Sequence, residues 1–166
     1  MALLSNSLLP CRVMLGKLDL ADTDVAALVR RTAFGHAFPW ISHPHTPLQD
    51  QWFFRERLFK RCELWGGFDL AEMTGIIAFR ADWIDQLYVL PHAQRRGIGT
   101  KLLQIAQCSY PRLHLRTFQR NARARRFYER RGFVFVRETD GAENEEKEPD
   151  ALYLWTRNQA DGVVTA

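Results

Sequence analysis

The stretch LYVLPHAQRRGIGTKLL, residues 87–103, decides how the chain is read, because it passes from an apolar strand through a basic, glycine-bearing turn into a leucine-rich helix. The segment WIDQLYV reads as a strand that Pro91 ends. After it, Ile98, Leu102, Leu103 and Ile105 suit the buried face of a helix that Pro111 stops. Between the two, Arg95 and Arg96 precede Gly97 and Gly99, with Thr100 close behind. A helix start exposes unpaired N–H groups at the positive end of the macrodipole, so this arrangement favours a phosphate. A Cβ at either glycine would hold an anion away from the amides, and Thr100 adds a hydroxyl donor. A P-loop needs GxxxxGK[ST] and a dinucleotide fingerprint needs GxGxxG; Leu102 stands where the third glycine belongs, and both nucleotide readings fail. Taken alone, the glycines are equally well explained by tight strand-to-helix packing.

Outward from this segment the same mixture of elements continues. CRVMLGKL alternates as a strand, and DTDVAALVRRTAF sets Val25, Leu28, Val29 and Ala33 at helical spacing behind Asp and Thr capping candidates. The prolines of GHAFPWISHPHTP exclude regular structure. PLQDQWFFRERLFKR then opens a second helix with Pro47 in its first turn and Trp52, Phe53, Leu58 and Phe59 as its apolar residues. CELWGGFDL and MTGIIAFRA read as antiparallel neighbours joined near Ala71 and Glu72. Downstream, LHLRTF is a strand and NARARRFYERR a helix with Ala124, Phe127 and Tyr128 on one side. Gly132 sits where a left-handed C-cap is wanted, and FVFVRET and ALYLWTR close as a hairpin across the acidic DGAENEEKEPD. The expected fold is a single α+β (mixed α/β) domain over residues 1–157, with about four helices around a sheet of six to seven strands. Residues 158–166 lack an apolar pattern and read as a frayed tail.

Composition narrows the class. At 166 residues with 46% apolar and 12% aromatic content, the chain suits one domain with a full core and is short for two. Its net charge of +4 suits an anionic small molecule and is far from the density of a dedicated nucleic-acid-binding chain. Cys11, Cys62 and Cys108 are odd in number and share no metal-type spacing, which points to free thiols and a cytoplasmic protein. No apolar run approaches membrane-spanning length, so no membrane partner is expected.

The pair QxxGxG at 94–99 and NARARRFYERRGF at 121–133 resembles the GNAT superfamily of acetyl-CoA-dependent N-acyltransferases, most strongly over residues 84–133. The resemblance implies a GNAT-like domain whose mostly antiparallel sheet splays between strands four and five. It implies acetyl-CoA as cosubstrate, its pyrophosphate held by the loop Gln94, Arg95, Arg96, Gly97, Ile98, Gly99 and Thr100. The backbone of Leu87, Tyr88 and Val89 would face the thioester and the pantetheine, and Asn121 would bond the pantetheine arm or a bridging water. Asn121 is as well suited to capping its helix. The implied reaction is direct attack of a primary amine, of a small molecule or a peptide, on the thioester in a ternary complex. Tyr128 lies on one helix face with Ala124 and Asn121, and as a phenol with pKa about 10 it can donate to the leaving thiolate. Asp85, sharing a strand face with Leu87 and Val89, occupies a place similar to that of a general-base glutamate in some members, acting here through water; Asp82 is the fallback. Dimers are common among similar proteins, and a homodimer is compatible with this reading.

Other residues carry less. His43 and His45 on a proline-broken loop make a weak metal site, and no metal is predicted. The arginines from 120 to 131 point around their helix, so a nucleic-acid partner is not expected, with one or two near the CoA 3′-phosphate. The acidic run 143–150 suits a cationic amine or a solvated hairpin tip, and Phe34, Trp40 and Trp83 suit an acceptor pocket or the core. The reading set against catalysis is a module on the same fold that senses acyl-CoA or docks on nucleic acid without turnover.

Overall fold

The computed structural model describes residues 13–157; Cys11, the start of the first strand and the tail expected at 158–166 lie outside the described residues. Seven strands form one sheet in the order β1-β2-β3-β4-β5-β7-β6. They are β1 (Met14–Lys17), β2 (Glu63–Asp69), β3 (Glu72–Arg80), β4 (Asp82–Val89), β5 (Arg112–Phe118), β6 (Val134–Thr139) and β7 (Asp150–Thr156). Every pairing is antiparallel except β4 with β5, the step that encloses the helix of the opening segment. That parallel ladder holds only at Asp82 opposite Leu113 and Trp83 opposite His114, after which the strands part. The splay expected between strands four and five is thus present.

Helix α1 (Thr23–Ala37) follows a 3-10 turn, Leu20–Asp22, that Asp19 and Asp22 close with a reciprocal capping box. The sequence spacing put Val25 and Leu28 on the buried side of α1, but they are 48% and 62% exposed. Ala26, Ala27, Val29, Ala33 and Phe34 take the buried positions, because small side chains let the helix approach the sheet closely. Thr46 and Gln49 cap α2 (Pro47–Phe53) with Pro47 in its first turn, and the helix runs through a π-helical turn, Phe54–Leu58, into α3 (Phe59–Arg61). The first and last residues of that turn, Phe54 and Leu58, face the core while Trp52 and Phe53 face outward.

Helix α4 (Ile98–Ser109) lies tightly on one face of the sheet: a Cβ on Gly75 would stand 2.8 Å from the Ile98 side chain. Gly75 pairs with Val89, so Ile76 and its partner Tyr88 point to the opposite face, where α1 packs. Ile76, Ile77, Phe79, Leu102, Leu103, Leu113 and Leu115 are all at most 1% exposed. Each such side chain contributes about 1.5–3 kcal/mol through burial, which holds the sheet between its two helical layers. Helix α5 (Ala122–Glu129) ends at Gly132, whose φ of 83° is the left-handed stop expected there. At the far end of α4, the Arg157 side chain donates to the carbonyls of Gln107, Cys108 and Tyr110 at 2.6, 2.9 and 3.5 Å.

Candidate active site

Where β4 and β5 part, a cavity of about 1160 Å³ opens, bounded by the start of α4 at one end and by the last turn of α1 with the β6–β7 loop at the other. Among the described residues, the edge of β4 beyond Trp83 has no strand partner on the β5 side. The wall formed by Leu87, Tyr88 and Val89 therefore offers main-chain groups to whatever fills the gap. This is the arrangement the glycine turn needs behind it.

The turn itself is built for close approach. Gln94 donates its side-chain N–H to the carbonyl of Val89 at 3.0 Å, tying the loop to the strand end. Arg95 has φ 64° and Gly97 φ 83°, and the first main-chain bond into α4 runs from Lys101 N–H to Gly97 at 3.0 Å. The N–H groups of Ile98, Gly99 and Thr100 precede that bond and are the orphan donors of the helix start. The two glycines serve different ends. Nothing lies within 4 Å of a Cβ on Gly97, which is needed for its backbone angle and for open space, whereas a Cβ on Gly99 would meet the Phe127 ring at 3.4 Å.

The side chains of the loop are also engaged. Arg96 is ion-paired with Asp69. The Thr100 hydroxyl accepts from Arg131 Nε at 3.1 Å and Nη2 at 2.5 Å, and the Arg131 guanidinium stacks 3.7 Å above the Phe127 ring. Arg123, Arg126 and Arg130 border the cavity, giving this mouth a positive rim. Arg125 instead donates to the Tyr153 hydroxyl at 2.9 Å, and Arg120 lies 4.1 Å over Trp40. The sequence spacing points these arginines around their helix; in the fold, instead, Arg123, Arg126, Arg130 and Arg131 share the cavity side, and Arg120 and Arg125 are engaged elsewhere.

Inside the cavity, Tyr128 is 8% exposed, and among the described residues its hydroxyl has no hydrogen-bond partner. Burial, with the neighbouring Tyr88 adding to it, pushes the Tyr128 phenol well above its ordinary value. Burial raises Tyr88 too, with Arg30 opposing the shift and Glu146 adding to it. Both phenols keep their protons through the neutral range. Asn121 borders the cavity and caps α5, its side-chain oxygen accepting from Ala124 N–H at 3.1 Å.

Asp85 also borders the cavity, but a bulge breaks the regular alternation on which its shared face with Leu87 rested. Phe79 pairs with Ile84 and Ala78 with Gln86, leaving Asp85 as the extra residue. Its carboxylate lies 3.0 Å from Arg80 Nε, and the Cys62 thiol donates to it at 3.5 Å. Burial and then the Asp85 charge push that thiol up to about 12, so Cys62 is no nucleophile. Asp82 is away from the cavity, paired with Arg112 at 2.8 Å.

At the α1 end, Phe38 and Phe118 form an edge-to-face pair with centroids 4.9 Å apart and both border the cavity. Sequence reading named other aromatic residues instead. Phe34 packs behind that pair, Trp40 lies beyond Phe38, and Trp83 stacks on His114. The acidic loop is likewise divided: Glu146 and Asp150 reach the cavity, while Glu145 bonds His45 at 2.6 Å and Glu148 pairs with Arg120 at 3.6 Å. Asp150, 3% exposed, takes bonds from Thr139 and Asn144 and pairs with Arg116 at 3.6 Å. No group of three or more metal-ligand side chains occurs among the described residues. No described helix is long and apolar enough to cross a membrane.

Comparison with known proteins agrees with this geometry. Residues 61–135 match the family model described as an acetyltransferase (GNAT) domain. Peptidyl-lysine N-acetyltransferase YiaC of Escherichia coli (strain K12) is 30% identical over 83 residues, which are 49% of this chain and 57% of that protein. The match therefore spans little more than half the length of that relative. Among solved structures, the ribosomal-protein-S18-alanine N-acetyltransferase from Escherichia coli superposes with a TM-score of 0.70 at 16% identity, over 93% of this chain and 100% of the other. The PaiA N-acetyltransferase from Thermoplasma acidophilum, in complex with coenzyme A, gives 0.69 at 16% identity over 87% and 99%.

Proposed function

We propose that this chain, which belongs to the GNAT superfamily, transfers an acetyl group from acetyl-CoA to a primary amine by direct attack in a ternary complex. The observation that carries the reading is the open seam between β4 and β5, with a helix start at one mouth and, within, a buried phenol that has no hydrogen-bond partner among the described residues. The fit to a CoA ester is supported by the open space at Gly97 and the positive rim, where the amides of residues 95–100 would hold the pyrophosphate. When bound, the ester supplies the activated thioester carbonyl.

The chain's own residues do the rest. The free edge of Leu87, Tyr88 and Val89 orients the acyl carbonyl and donates main-chain hydrogen bonds as charge develops on its oxygen. Tyr128 donates a hydrogen bond to the departing sulfur; its raised pKa keeps the donor proton in place at every physiological pH. Asn121 holds the start of α5, and with it Tyr128, in position. Asp85, steadied by Arg80, takes the ammonium proton through water before attack.

Calorimetry with CoA and a thiol-release assay with acetyl-CoA and an amine panel test the reading. Micromolar binding and amine-dependent release are expected; absence of both would end it. Replacing Asp85 by Asn is expected to lower kcat while leaving the KM for acetyl-CoA in place. An unaltered kcat would move the base elsewhere.

A further inference from the structure

The geometry points to an acceptor whose primary amine is joined to an aromatic group and carries no carboxylate nearby, and this rests on the acyl-transfer reading of the same cavity. Three features at the α1 end converge on that chemistry. First, Phe38 and Phe118 present ring surface to the cavity, held edge-to-face at 4.9 Å, and Phe34 backs both of them at 5.0 and 6.4 Å. A ring or an ammonium group placed against such a pair gains stacking and cation–π attraction. Second, Ala33 and Ala37, one helical turn apart on α1, border the same space and leave room that larger side chains would fill. Third, the charges there are unequally satisfied.

Of the three carboxylates on the cavity wall, Asp85 is paired with Arg80 and Asp150 with Arg116, Thr139 and Asn144. Glu146 has no ion-pair or hydrogen-bond partner among the described residues, and its charge is felt at the Tyr88 phenol. The Arg116 cation is already committed to Asp150. Glu146 is therefore the carboxylate left unpaired among the described residues, on a cavity wall that also carries His36, Arg123 and Arg126. It draws in an ammonium ion and repels an acceptor that carries its own carboxylate next to the amine. A linear polyamine finds one unpaired carboxylate, and among the described residues the other two on the wall are already paired. The same amine chemistry occurs in a free arylalkylamine and at the N-terminus of a chain that begins with an aromatic residue.

Steady-state thiol release with acetyl-CoA separates these acceptors. The set comprises 2-phenylethylamine, phenylalanine amide, a tripeptide amide beginning with Phe, free phenylalanine, spermidine and Nα-acetyl-lysine amide. The first three are expected to exceed the last three in kcat/KM by about ten-fold or more, as one well-placed aromatic or charge contact allows. The ratio of the tripeptide to 2-phenylethylamine then tells a chain terminus from a free amine as the source. Glu146→Gln is expected to raise the KM for 2-phenylethylamine and to narrow the gap between phenylalanine and its amide, with the KM for acetyl-CoA unmoved. Phe118→Leu is expected to remove the aromatic preference while the folded state persists by circular dichroism. Spermidine or the lysine derivative as best acceptor, or an unchanged gap in Glu146→Gln, overturns this inference and leaves acyl transfer standing. Release with no amine at all overturns both.

Discussion

Tyr128 shows how a residue's surroundings alter the chemistry its type suggests. An ordinary phenol is a fair acid for a thiolate, but burial lifts this one, so in the proposed reaction full proton transfer is less favourable than hydrogen-bond donation. Replacing Tyr128 by Phe is expected to lower kcat by about 10²-fold, with the KM for acetyl-CoA within about two-fold of the parent, in steady-state thiol-release kinetics. Cys62 gives a second residue-scale expectation. In the unfolded chain its thiol ionises near 9.0, whereas in the fold it holds its proton up to about 12. Between those values the unfolded state binds fewer protons, so stability falls as pH rises from 9 toward 12, and the raised tyrosines Tyr88 and Tyr128 add to the fall above about 10. Cys62→Ser is expected to flatten the decline near pH 9–10 in denaturant titrations at stepped pH; a slope identical to the parent's would refute the assignment.

At the scale of elements, the strand, turn and helix around Gly97 were legible because every signal there is local: alternation, a left-handed glycine and a helix start. Gly97→Ala places a Cβ at φ 83°, costs about 1–2 kcal/mol of stability, and fills the space against the loop amides. Calorimetry should show weaker CoA binding beyond what the lost stability explains, since the helix itself remains. What the sequence could not show depends on partners distant in the chain. The buried face of α1 follows from how closely Ala26 and Ala27 let it approach the sheet, which outweighs the apolar Val25 and Leu28. The bulge at Asp85 is a matter of register with β3, invisible in β4 alone. The acceptor walls are the least legible part. Phe38, Phe118 and Glu146 come from a helix end, a strand end and a hairpin loop, and only the fold brings them to one cavity.

For the whole molecule, the seam between β4 and β5 divides an otherwise continuous sheet. Hydrogen bonding across it ends at Trp83 and His114, so the seam-facing edges of residues 85–89 and 115–118 lie open to the ligand proposed above. In hydrogen–deuterium exchange these segments are expected to exchange faster than the β2–β3 ladder in the free protein and to slow on adding CoA. Equal rates with and without CoA would place the ligand elsewhere. The closing arginine bears on the same question from the opposite end of α4. Arg157 grips three carbonyls at the tail of a 12-residue helix, a rod about 18 Å long whose head presents the amides proposed to hold the pyrophosphate. A chain cut after Thr156 would lose that anchor and let the rod tilt, so shortening the protein at its last strand is felt as a weaker grip on nucleotide at the other side of the molecule.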